Sequence, residues 1–158
     1  GLLIYGRLLD WTFPGYGKVQ RERILRALAR AQTGDSMVFE HLDYLPTRFF
    51  PSRSQIVLIS PLCEDDLPAL VRLRARGYQV LVISPDPVAF EVKALKSNPA
   101  AALAGRIARL ERRLMLRKLP QAGIRVVDWQ VDDPFDHVVH ASLGRQPQWF
   151  RALGLEAL

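Results

Sequence analysis

Cysteine is almost missing from this chain: Cys63 is the only one among 158 residues. A lone thiol excludes an intrachain disulfide and any metal site built from several cysteines, and it fits a reducing compartment. No apolar run is long enough to cross a bilayer as a helix, and no secretory leader pattern is present. The Gly-x-Ser-x-Gly elbow of the α/β-hydrolases does not occur. Gly15-Tyr16-Gly17-Lys18 has the wrong spacing for a phosphate loop, and Val19 stands where that loop needs a hydroxyl residue. Its glycines suit a turn into a helix.

What is there is globular. The chain is 49% hydrophobic and 24% charged, which excludes a disordered tract, a collagen and a coiled-coil array. The length suits one domain over residues 1–158. Lys and Arg number 22 against 16 Asp and Glu, for a net charge of +6. The chain opens on the strand-like run Gly1-Leu2-Leu3-Ile4-Tyr5 without Met, which reads as a piece of a larger protein.

Residues 2–5 and 8–13 are short apolar runs joined by Gly6-Arg7, the pattern of a tight hairpin. Residues 18–32 then read as an amphipathic helix with Ile24, Leu25, Leu28 and Ala31 on one face. Ser36 is placed to cap a second helix reaching Leu45. The clearest unit follows. Gln55-Ile56-Val57-Leu58-Ile59-Ser60-Pro61 and Gln79-Val80-Leu81-Val82-Ile83-Ser84-Pro85 almost repeat each other at an offset of 24 residues. Between them Asp65 and Asp66 open a helix that Gly77 closes. Unbroken β-branched runs indicate buried parallel strands joined by a right-handed crossover.

A short helix is expected near residues 88–97. Asn98-Pro99 starts a long one reaching Leu119, with Leu103, Ile107, Leu110 and Leu114 inward. Residues 124–129 form a further strand, and Asp133-Pro134 starts a helix through Leu143. Trp149, Phe150 and Leu153 give the tail helical spacing, and Trp11, Trp129 and Trp149 suit the edges of the core. The fold class is therefore α/β: a mostly parallel sheet, Rossmann-like, with helices on both faces and an N-terminal antiparallel hairpin. Ligands on such sheets bind beyond the carboxyl ends of the strands.

Three segments resemble a von Willebrand factor A domain. Gly1-Leu2-Leu3-Ile4-Tyr5-Gly6 resembles its antiparallel strand, and Phe13-Pro14-Gly15-Tyr16-Gly17 resembles the turn that follows. Ile56-Val57-Leu58-Ile59-Ser60-Pro61 resembles the strand leading to its metal-site loop. The run from Ala122 to Trp129 is similar to the last strand of a bacterial and archaeal family of unknown function. Members of that family carry an A-domain-like module and are associated with MoxR-type AAA+ ATPases. The resemblance implies an A-like domain lacking its first strand and helix, which would leave part of the sheet bare and favour self-association. It implies an interaction module in complex assembly or maturation, cytoplasmic or on the cytoplasmic face of a membrane through segments upstream. It also implies a degenerate metal-ion-dependent adhesion site. The Asp-x-Ser-x-Ser loop is absent, no Thr occurs in residues 15–18, and Ser60-Pro61 stands where an Asp is expected. No bound metal or cofactor is expected.

The candidate ligand or partner edge comprises Ser60, Cys63, Asp65, Asp66, Ser84 and Asp86, with Glu64 beside them. Helix capping accounts for Asp65 and Asp66 without further assumptions and is the preferred reading, and turn chemistry accounts for Asp86. A nucleophilic Ser60 or Cys63 needs a positioned base, and His41, the nearest histidine in sequence, has no fixed relation to either. Cys63 reads as a small, semi-buried side chain. His137 and His140, three apart, read as a surface pair without a third zinc ligand. The helix over 99–119 carries Arg106, Arg109, Arg112, Arg113, Arg117 and Lys118 against Glu111 alone. Arg106, Arg109, Arg113 and Arg117 form a line at three- and four-residue steps, a surface for an acidic partner, phosphates or anionic lipid. No aromatics interleave with it, so nucleic acid ranks below a protein or membrane surface. Two readings compete with the interaction module: a flavodoxin-like small-ligand or nucleotide binder using Ser60, Ser84 and Asp86, and nucleic-acid binding through the arginines.

Overall fold

In the computed structural model the two opening runs pair antiparallel. Strand β1 (Leu2–Tyr5) sets Leu2 opposite Thr12, and Tyr5 opposite Leu9, of β2 (Leu9–Thr12). The structure describes residues 1–5, 9–32, 42, 45–47, 50–94 and 98–144. The hairpin turn at Gly6-Arg7, the helix expected from Ser36, His41 and the tail with Trp149, Phe150 and Leu153 lie outside these residues. The chain divides into two units, Gly1–Leu45 and Pro46–Leu158.

In the first unit, helix α1 (Gly17–Arg30) starts on Gly17 at φ +71°, a left-handed turn that glycine adopts without strain. Gln20 and Ala27 are buried on it, whereas Leu25 and Leu28 are exposed. This corrects the expected face. The cause is local: the Gln20 side-chain amide donates to the Phe13 carbonyl at 2.7 Å and holds the first turn against the end of β2. Trp11 is half-buried, edge-on to Phe13 at 5.7 Å.

The second unit is an α/β, Rossmann-like arrangement. The 24-residue repeat becomes a strand register: β3 (Gln55–Ile59) runs parallel to β4 (Gln79–Pro85), pairing Gln55 with Gln79 and Ile59 with Ile83. Helix α2 (Asp66–Ala75) crosses between them, and Gly77 ends that crossover at φ +88°. Helices α3 (Pro87–Ala94) and α4 (Pro99–Gln121) lead to β5 (Arg125–Trp129), which lies parallel to β4 with Ser84 opposite Asp128. Helix α5 (Phe135–Leu143) follows. The strand order is β3-β4-β5. Crossovers between parallel strands are right-handed as a rule, and two advancing in one direction place α2 and α4 on the same face. Arg112 of α4 reaches Ser84 on that face, while Val138 and Leu143 of α5 pack on Leu81, Ile83 and Val127 of the other.

The pleat divides the core accordingly. Leu70, Leu73, Val80, Val82, Leu116, Leu119 and Ile124 are buried on the α2/α4 side. Leu81, Ile83 and Val127 form the opposite cluster, with Trp129, Val138 and Leu143 against it. Each fully buried aliphatic side chain contributes about 2 kcal/mol relative to exposure. Trp129 is fixed at its edge by an indole N–H to Asp133 O bond of 3.1 Å and an edge-on contact with Phe135 at 5.0 Å.

Helix α4 departs most from expectation. Asn98 caps it as the sequence implies, its Oδ1 accepting from Ala101 N at 2.7 Å with Pro99 beginning the helix. The buried face is Gly105, Arg112, Leu116 and Leu119. Leu103, Ile107, Leu110 and Leu114, expected inward, are 49–56% exposed. The helix carries apolar residues on two sides, and periodicity does not say which one meets the sheet. Close approach decides it. A Cβ on Gly105 would come within 2.8 Å of Val92 Cγ2, so α3 rests on the side that has no side chain to displace.

Candidate functional site

The carboxyl edge of the sheet is built by strands that each extend one step past their ladder. Ser60 N–H donates to Ile83 O at 3.1 Å, and Asp86 N–H to Trp129 O at 2.9 Å. Ser60, Ser84, Asp86 and the β3 loop thereby come together, as the sequence implies. Cys63 and Asp66 form a separate turn, with Cys63 N–H donating to Asp66 Oδ2 at 2.8 Å. Asp65 is exposed and makes no capping bond, which corrects its expected role. Cys63 is exposed rather than semi-buried.

The residue that organises the edge is Arg112. It sits on the inward face of α4 and is only 9% exposed. Its Nη1 donates to Pro61 O at 3.0 Å and to Ser84 Oγ at 3.1 Å. Its Nη2 donates to Ser84 O at 3.0 Å and to Asp128 Oδ1 at 2.7 Å. Four of five guanidinium N–H groups are thus satisfied. The fifth, on Nε, makes no hydrogen bond and faces Asp86 Oδ1 as an ion pair at 3.5 Å.

The remaining polar atoms are committed as well. Ser84, fully buried, donates its hydroxyl to Pro61 O at 3.1 Å. Asp86, 5% exposed, caps α3 by accepting from Val88 N–H at 2.9 Å, and accepts from Gln130 Nε2 at 3.0 Å. Ser60 Oγ accepts from Leu62 N–H at 3.1 Å, closing the turn in which the buried Leu62 is held at φ +61°. A leucine in the left-handed region costs on the order of 1 kcal/mol, offset here by burial of its side chain.

The arrangement is a closed polar network with a guanidinium where an α/β edge otherwise presents a crevice. A divalent cation does not fit. It would meet a fixed positive charge, and oxygens already taken by N–H donors, whereas hard cations need several free oxygens. Among the described residues no three His, Cys, Asp or Glu side chains are grouped to hold a metal. Among the described residues no base lies beside the Ser60 or Ser84 hydroxyl, both of which bond to backbone and, for Ser84, to Arg112. Next to the network, a shallow depression of about 390 Å³ lies between the β3 loop, α3 and α4. Glu64 and Glu111 contribute acid to its lining, Leu62, Val88 and Met115 apolar surface, and Arg112 its one base.

Arg106, Arg109, Arg113 and Arg117 are exposed on α4, and among the described residues none pairs with a carboxylate. Lys118 bonds Glu64 at 3.1 Å. His137 and His140 are exposed on α5. Sequence reasoning missed the pairing of Arg112 with Asp128, and Gln130 behind them. The available signal was positional: Arg112, Leu116 and Leu119 share one helix face, so this arginine does not belong with the outward ones. No family model, curated protein or solved structure matches the chain.

Proposed function

We propose that the chain is a von Willebrand factor A-like protein-interaction module, without catalysis of its own, acting beside an AAA+ ATPase in the assembly or maturation of a complex. The family part of this reading rests on the sequence resemblance. One observation supports the non-catalytic part: the oxygens at the strand edge are bound to Arg112, so the edge offers neither a free ligand set nor an activated nucleophile. The reading places the protein in the cytoplasm or on the cytoplasmic face of a membrane. Among the described residues no helix is long and apolar enough to cross one.

A small-ligand reading draws on the depression beside Arg112, whose volume lies within the usual range for ligand pockets. A thermal-shift screen with Mg²⁺, Mn²⁺ and nucleotides separates the two. The module reading expects no stabilisation by any of them. Reproducible, saturable stabilisation by a nucleotide overturns it in favour of the ligand-binding domain.

A further inference from the structure

Helix α4 has two apolar sides, and among the described residues only one meets the rest of its own unit. At about 100° per residue, Gly105, Arg112, Leu116 and Leu119 centre on one direction, while Leu103, Ile107, Leu110 and Leu114 centre about 180° away. The second set is narrow, about 60° wide, and steps by four, three and four residues. That is a strict heptad seam, with Leu103 and Leu110 at d and Ile107 and Leu114 at a. It runs ~16 Å along the helix. Arg106 and Arg113 occupy the g positions beside it, Arg117 follows at the next d position, and all three are exposed without a carboxylate partner among the described residues.

From this geometry we propose that the outward face of α4 docks an amphipathic helix of another protein, with leucine-type residues at a and d and Glu or Asp along the flank that meets Arg106 and Arg113. The seam width fits a helix: a face that lies in a lipid interface is broader. Charge selects a foreign helix over a second copy of this chain. Paired in parallel, two copies would gain an attraction between Arg106 and Glu111, but would align Arg113 with Lys118 and set Arg117 against itself at a d position inside the seam. Paired antiparallel, they would bring Arg106 near Arg113. Like charges at these positions oppose pairing, and acidic ones favour it. The proposal rests on the interaction-module reading and names its partner's chemistry.

The test uses the whole chain and two synthetic helical peptides, each with Leu at a and d, one with Glu and one with Lys at e and g. Fluorescence anisotropy at low salt should show the Glu peptide binding at least about tenfold tighter than the Lys peptide, since flanking charges set coiled-coil partner choice. Ile107→Glu together with Leu110→Glu should abolish binding, and both positions are exposed, so circular dichroism should show an unchanged fold. Arg106→Glu with Arg113→Glu should reverse the peptide preference. Indifference to peptide charge, binding to phosphatidylglycerol vesicles in place of either peptide, or self-association removed by Leu110→Glu overturns the proposal. The wider reading fails separately: stabilisation by a nucleotide removes the module reading, whereas failure of the peptides removes only the seam.

Discussion

Arg112 Nη1 and Ser84 Oγ lie 3.1 Å apart with both residues buried, so the middle of α4 is tied to the end of the central strand β4 through a charged hydrogen bond. The same guanidinium reaches Pro61 after β3 and Asp128 on β5. One side chain therefore joins the carboxyl ends of all three parallel strands.

Removing that side chain should be costly. Arg112→Met keeps much of the volume but leaves Asp86 buried without its cation, takes two donors from Ser84, and leaves Pro61 O with the Ser84 hydroxyl alone of its two donors. Breaking a buried pair from one side typically costs 3–5 kcal/mol, and about 3 kcal/mol is expected here because Asp86 keeps its bonds to Val88 and Gln130. Arg112→Lys should recover only part of this, since a single ammonium does not reproduce the fork to Ser84 and Asp128. Urea unfolding followed by circular dichroism measures both, and equal stability of the Met variant and the wild type would refute the account.

The two faces of α4 should respond differently to truncation. Leu116→Ala and Leu119→Ala remove fully packed side chains and should each cost 2–4 kcal/mol, within the range for core leucines. Ile107→Ala and Leu110→Ala, on the exposed face, should stay within about 0.5 kcal/mol of wild type. Denaturant midpoints of the four variants check this. A large loss at Ile107 or Leu110 would mean that this face is covered within the chain.

Much of the second unit was legible. The repeat between residues 55–61 and 79–85 foretold parallel strands joined by a crossover, because β-branched runs mark strands buried on both faces, and the register the structure shows follows the same 24-residue offset. Asn98-Pro99 and Gly77 marked element ends through backbone chemistry that acts locally. The orientation of α4 was not legible. Its exposed set of Leu103, Ile107, Leu110 and Leu114 is the more apolar one, so hydropathy points to the wrong side, and the choice depends on Gly105 meeting Val92 and on Arg112 finding Ser84, which are contacts distant in sequence. For the same reason the arginine that organises the edge was hidden among those that face outward. The rule that ligands bind beyond the carboxyl ends of parallel strands directed attention to this edge and to Ser84 and Asp86 within it. It carried no information on what neutralises them.

Strand β3 should make the protein self-associate. It has one paired neighbour among the described strands, and Val57 and Ile59 are 49% and 67% exposed on the side of the sheet opposite α2 and α4. Exposed apolar residues on an edge strand invite pairing. Light scattering should show a mass that rises with concentration, and Ile59→Lys should hold it at the monomer. A concentration-independent monomer for the wild type would contradict the expectation.

The central claim is that Arg112 closes the strand edge by acting as its cation. A double-mutant cycle on Arg112→Met and Asp86→Asn tests it most directly, because asparagine removes the charge and keeps the capping oxygen for Val88, and its loss of the oxygen that accepts from Gln130 is common to both arms of the cycle. The two buried groups should couple by about 2 kcal/mol, with Asp86→Asn recovering part of the stability lost in Arg112→Met. Additive effects, with coupling below about 0.5 kcal/mol, would show that the guanidinium and the carboxylate are neighbours without being partners.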